Sequence, residues 1–170
     1  GAVGYLSYET VRHLEELPLP PNHPQGVPEA VFLLVDTFLV FDHVKHKIRA
    51  VSHVHTDGDV AASYGEAVER IDTLVSRLYR PLPANSHETR PWPAEKPIRS
   101  NLTQEQYEAM VRRIREYIIA GDCIQVVPSQ RLSRPTSAHP FDIYRALRTI
   151  NPSPYMYYLH LCDFYIVGAS

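Results

Sequence analysis

Five prolines between Pro81 and Pro97 constrain this chain more than any other feature. Each locks its own φ, removes a backbone donor and pushes the preceding residue out of the α region. Neither a continuous helix nor a central strand can run through such a stretch, so it reads as a linker between two structural units. The expected segments are 1–80, a linker at 81–98 carrying the lone Trp92, and 99–170. A second cluster, Pro18, Pro20, Pro21 and Pro24, enforces an extended loop inside the first segment.

At 170 residues the length suits one domain or pieces of two. The 44% apolar fraction can build a core. A formal net charge of −2 gives no electrostatic case for nucleic acid or an anionic membrane. Cys123 and Cys162 are the only cysteines, too few for a disulfide scaffold, which points to a reducing, cytoplasmic setting. The start lacks the basic and apolar regions of a signal peptide. The apolar run Ala30 to Val35 is far too short to span a bilayer.

Local patterns predict the elements. Gly1 to Leu6 reads as a short strand, and Ser7 as the cap of a helix with Val11, Leu14 and Leu17 on one side. Ala30 to Phe41 suits one or two buried strands with a break at Asp36-Thr37, returning through a polar turn into Ile48 to Val54. Val60, Tyr64, Ala67, Val68, Ile71, Leu74, Val75 and Leu78 form a helical stripe after a turn at Asp57-Gly58-Asp59. Thr103 and Gln106 have the spacing of a capping box, and Gly121 stands where that helix should stop. Cys123 to Leu132 is expected as an edge or bulged strand because of Pro128. Pro140 suits the first turn of another helix, with Phe141, Tyr144, Leu147 and Ile150 along one side. Two β-favouring runs, Tyr155 to Leu161 and Phe164 to Ala169, flank a tight turn at Cys162-Asp163.

Two places invite a functional reading. Asn151-Pro152-Ser153-Pro154-Tyr155-Met156 stops a helix and enters a strand. It is either a plain connector or a rigid, donor-poor pocket wall for a small apolar ligand. His43, His46, His53 and His55 could converge on zinc from adjacent strands, yet their spacings match no compact metal signature, and solvated edge histidines are the simpler expectation.

Four blocks carry a resemblance: Gly1-Ala2-Val3-Gly4-Tyr5-Leu6-Ser7-Tyr8-Glu9, Gly121 to Arg131, Asn151 to Met156, and Asp163 to Ser170. In this order they resemble the large subunit (component I) of anthranilate synthase, a chorismate-binding enzyme. The resemblance implies an α+β fold, a mixed-sheet two-layer sandwich with helices. It makes 1–80 the end of an amino-terminal regulatory region and 99–170 the start of the chorismate-binding domain. It also implies a chain shortened at both ends, with exposed sheet edges and a tendency to aggregate.

The implied reaction joins chorismate and glutamine-derived ammonia to give anthranilate and pyruvate in tryptophan biosynthesis. Gln125 is the implied catalytic residue. Relatives that make isochorismate or salicylate carry lysine at the matching position. Glutamine cannot take a proton, which suits ammonia, a nucleophile with its lone pair already free. Pro154, Tyr155 and Met156 match the segment that contacts the feedback inhibitor L-tryptophan, with Asn151 and Ser153 beside them. Proline rings and a thioether offer polarizable surface to an indole. Magnesium is the implied cofactor, with its glutamate ligands expected after Ser170 and none in this stretch. A glutamine amidotransferase subunit (component II) is the implied partner, and a plastid location applies if the source is a plant. Ile124 and Pro128 depart from the family, which more often has an aromatic residue and a leucine there. Two other readings are aminodeoxychorismate synthase component I, whose members also carry the glutamine but usually lack the Tyr-Met pair, and a non-catalytic amino-acid-binding protein on the same scaffold.

Overall fold

A computed structural model describes residues 1–18, 25–81 and 97–170. Pro20, Pro21, Pro24, Trp92 and most of the expected linker lie outside the described residues. In chain order the elements are β1 (Ala2–Leu6), a 3₁₀ helix (Tyr8–His13), β2 (Ala30–Leu34), β3 (Thr37–Asp42), β4 (Lys47–Ser52), α1 (Val60–Leu78), β5 (Arg99–Ser100), α2 (Gln104–Ala120), β6 (Leu132–Ser133), α3 (Pro140–Ile150), β7 (Met156–Leu161) and β8 (Phe164–Ala169). This mixture of helices and antiparallel ladders is the expected α+β class. By compactness the chain divides into Gly1–Ser86 with Ile143–Ser170, and His87–Asp142. The sequence segments divide it differently, keeping all of 99–170 together.

In the first unit β1 pairs with β2, β3 with β4 and β7 with β8, each antiparallel. Gly4 stands opposite Phe32, and a Cβ there would lie 2.8 Å from the Phe32 Cα. Only glycine permits that approach. The β3–β4 turn is fastened by Asp42, whose carboxylate accepts from the Lys45 N–H (2.9 Å) and the Arg49 guanidinium (3.0 Å). Asp59 caps α1 by accepting from the Ala61 and Ala62 N–H groups at 3.0 and 3.1 Å. The α1 stripe faces this hairpin through buried Ala67 and half-buried Ile71, Leu74 and Val75, whereas Tyr64 and Val68 of the same stripe are exposed. Arg70 adds a polar clasp, donating to Ser52 Oγ (3.2 Å) and the His53 carbonyl (3.3 Å).

The β7–β8 hairpin turns at Cys162 and Asp163, with Cys162 at φ 52°. Pleating puts Met156, Tyr158 and His160 on one face and Tyr157, Leu159 and Leu161 on the other. Leu161 is completely buried. Its cross-strand partner Phe164 meets Tyr5 of β1 edge to face, ring centroids 6.1 Å apart. The opposite face receives Tyr144 of α3 against Tyr158, at 5.9 Å.

In the second unit α2 begins with the full capping box. The Gln106 N–H donates to Thr103 Oγ1 (3.2 Å), and the Thr103 N–H donates to Gln106 Oε1 (2.9 Å). Gly121, at φ 85°, ends the helix in the left-handed region, and the Asp122 N–H reaches back to the Tyr117 carbonyl at 3.0 Å. That is the cap the sequence predicts.

Two expectations need correcting. The segment after Ser7 is a short 3₁₀ helix, and the Ser7 side chain makes no capping bond. Six residues wound at three per turn stack i over i+3, so no α-type stripe forms, and Leu14 is 84% exposed. Cys123 to Leu132 is not a strand; only Leu132–Ser133 pairs, with Arg99–Ser100. Pro128 supplies no donor, and among the described residues no strand lies along 123–131 to complete a ladder.

Candidate functional site

The Asn151–Met156 connector is built by termination and then by fastening. The Asn151 N–H still donates to the Leu147 carbonyl (2.8 Å), one step beyond α3. Pro152 has no N–H to continue the ladder. The Ser153 hydroxyl then gathers the turn: its Oγ accepts from the Tyr155 N–H (3.1 Å) and donates to the Ser170 carbonyl at the end of β8. The chain leaves this turn straight into β7, where Met156 stands opposite Ala169. Pro154 and Tyr155 are exposed and Met156 is half-buried. Thus Asn151, Ser153, Pro154, Tyr155 and Met156 form one rigid, partly apolar turn in the first unit.

Aromatic rings buttress the turn. Tyr158, on the Met156 face, contacts Tyr144 of α3 at 5.9 Å and Tyr165 of β8 at 5.8 Å. Tyr165 in turn stacks on His160, with centroids 4.3 Å apart and planes 16° from parallel. Desolvation, then the neighbouring Tyr165, raises the Tyr158 hydroxyl pKa above its ordinary value. The Tyr144–Tyr158 contact bridges α3 and β7, the two ends of the connector.

Gln125 belongs to the second unit, on the non-strand segment after Gly121, and is exposed. Nearby Ile124 and Val127 are 96% and 80% exposed, so the segment packs neither face of the expected strand against a core.

The histidines do not assemble a metal centre: among the described residues no three His, Cys, Asp or Glu side chains come together to hold an ion. His53 instead packs edge to face on Phe38 (5.8 Å), and His55 lies 4.0 Å from an Asp36 carboxylate oxygen. No described helix is long and apolar enough to cross a membrane.

One feature escaped the sequence reading. A groove of about 520 Å³ beside α1 is lined by Thr37, Glu66, Arg70, Thr73 and Arg77, among others. The signal was available in part, since Glu66 and Arg70 are one helical turn apart and pair at 3.6 Å. Thr37 and Ser52, whose hydroxyl oxygens are 2.9 Å apart, join only through the β3–β4 register.

Comparison with known proteins extends along the whole chain. Anthranilate synthase component 1 of Pseudomonas putida is 44% identical, and that of Acetivibrio thermocellus 40%. Each alignment covers 100% of this chain and 35% of the relative. The chloroplastic anthranilate synthase alpha subunit 2 of Arabidopsis thaliana is 39% identical, with 29% of its length covered. This chain thus spans about a third of the length of the curated relatives it matches. The crystal structure of anthranilate synthase component I from Streptococcus pneumoniae superposes with a TM-score of 0.77 at 30% identity, over 100% of this chain and 38% of that one. The sequence model of the chorismate binding enzymes matches residues 1–170, and the chain belongs to that family.

Proposed function

We propose that this chain is part of an anthranilate synthase that converts chorismate and ammonia to anthranilate and pyruvate. The observation that carries the reading is the agreement along the entire chain with proteins named anthranilate synthase component 1 from bacteria and yeast, and with a plant alpha subunit. In the proposed reaction the ammonia nitrogen bonds to the chorismate ring as the ring hydroxyl leaves as water. The enolpyruvyl group then departs as pyruvate while the ring loses a proton and becomes aromatic. Gln125 donates or accepts hydrogen bonds that orient ammonia or the departing hydroxyl, and takes no proton itself. A carboxamide suits ammonia as a water-activating base would not.

The Asn151–Met156 turn is proposed to hold the feedback inhibitor L-tryptophan. The indole lies on the Pro154 ring and the Met156 thioether, and Tyr155 is exposed beside them. A glutamine amidotransferase subunit supplies the ammonia in this proposal. Magnesium belongs to it as well. The family resemblance places its ligands outside residues 1–170, and no step is routed through it here.

The test uses the complete gene product with chorismate, magnesium and ammonium, followed by product identification with and without L-tryptophan. Anthranilate, suppressed by tryptophan, is the expected result. Anthranilate without suppression removes the inhibitor site and keeps the reaction. Aminodeoxychorismate as product, or no turnover, overturns the proposal.

A further inference from the structure

The connector is the loop of a closed ring: α3 leads into it, β7 leads out, and the Tyr144–Tyr158 contact joins the two sides at 5.9 Å. Tyr144 lies about two helical turns before Asn151, and Tyr158 lies two residues after Met156 on the same face of β7. Tyr165 backs Tyr158 from β8, at 5.8 Å and with the planes tilted by 39°. On the other side of the contact, the Arg148 guanidinium lies 6.0 Å from the Tyr144 ring centroid, also on α3. The rings therefore run from helix to hairpin beneath the turn.

We infer that Tyr158 is a positioning residue: by clamping α3 to β7 it sets the spacing of Pro154 and Met156, and hence how strongly an aromatic amino acid is held there. This rests on the inhibitor reading proposed above. The argument is geometric. Five residues, Asn151 to Tyr155, separate the helix end from the strand entry, and two are prolines with fixed φ, so the turn has few ways to adapt if its ends move. A ligand that needs a ring face and a thioether at one spacing binds the clamped form in preference, and loosening the clamp dilutes the competent form. Tyr158 itself contacts neither ligand nor reacting atoms in this scheme.

The experiment uses the complete gene product. Uninhibited kcat and KM for chorismate, the L-tryptophan concentration giving half-inhibition, and direct tryptophan binding by calorimetry are measured for wild type, Tyr158→Leu and Tyr158→Phe. Tyr158→Leu is expected to raise the half-inhibition concentration and the Kd for tryptophan together, by about fivefold to tenfold, the scale of an aromatic pair. Its uninhibited kcat and KM are expected to stay within about twofold. Tyr158→Phe keeps the ring and is expected to match wild type. Tyr144→Leu removes the same contact from the helix side, is expected to reproduce the loss, and serves if Tyr158→Leu fails to fold. A wild type that ignores L-tryptophan overturns the inhibitor reading and this inference with it. A wild type that responds, with leucine variants equally sensitive, overturns this inference alone. Equal losses of sensitivity and of uninhibited kcat also overturn it, because they show general damage.

Discussion

The capping box of α2 gives the sharpest stability prediction. Thr103→Val keeps the side-chain shape and removes the oxygen that accepts from the Gln106 N–H at 3.2 Å. The Gln106 amide then joins the other donors of the first turn that have no intrahelical partner. Loss of such a cap costs about 1 kcal/mol, which is about fivefold in the opening equilibrium of the first turn. The reciprocal variant Gln106→Ala removes the acceptor of the Thr103 N–H, 2.9 Å away, and should cost about half as much because that donor can turn to water. Both bonds close the same turn, so the double variant should lose less than the sum. The assay is amide hydrogen exchange at Gln106 and Tyr107, with circular dichroism of a peptide spanning 100–123. A helix of 17 residues is only slightly longer than the marginal length in water, so its helicity responds to a change of this size. Thr103→Ser restores the acceptor and should restore protection. Unchanged exchange at Gln106 in Thr103→Val, or fully additive losses in the double variant, would refute the reasoning.

Four further outcomes follow from the same kind of argument. Glu105 is held below the usual carboxylate range by a hydrogen bond from its own backbone and then by one from Thr103, so its contribution to α2 is present above its ordinary value and is lost as pH falls through the depressed one; an acid titration of helicity, with a smaller loss for Glu105→Gln than for wild type, checks the sign. Gly4→Ala places a methyl group against backbone that cannot give way, and a loss of about 1–3 kcal/mol in urea unfolding is expected. Leu161→Ala empties the one fully buried large side chain among the described residues, at a cost of about 2–5 kcal/mol in the same assay. Gln125→Ala in the complete gene product should lower the ammonia-dependent rate about tenfold, the scale of one well-placed hydrogen bond, and leave tryptophan inhibition untouched; an unchanged rate would remove Gln125 from the proposed chemistry.

What was legible in the sequence was what is decided locally. The capping box, the glycine at φ 85° and the α1 helix depend on residues within a turn or two of one another, and each appears where the pattern places it, although only Ala67 of the α1 stripe is fully buried. The hairpins follow from alternation around short polar turns. The run 123–131 departs from the strand expectation because Val-Val-rich composition reports a fit to a pleated surface, and a strand exists only with a neighbour to accept its bonds. The 3₁₀ helix after Ser7 shows the same limit, since six residues hold too little information to choose a winding. As for the site, the Asn151–Met156 turn could be located from its prolines, while the Ser153 fastening and the tyrosine clamp required strands that meet only in the fold.

The β7–β8 hairpin has one helix ring, Tyr144, against one face and Tyr5 of β1 against the other. A strand pair with one dry face knows its register, since a slip of one residue would expose its core. Cover on both faces is partial, with Tyr157 47% exposed on one and Tyr165 36% on the other, so burial distinguishes the correct alignment from its neighbours only weakly. Alignment must then be written elsewhere. The turn at Cys162-Asp163 sets it at one end, and Gly168 opposite Tyr157 sets it at the other. Any residue but glycine at 168 would meet the Tyr157 ring, with its Cε1 only 2.7 Å from the new Cβ. A bare backbone position facing a large ring thus favours one alignment, the one in which Met156 stands opposite Ala169.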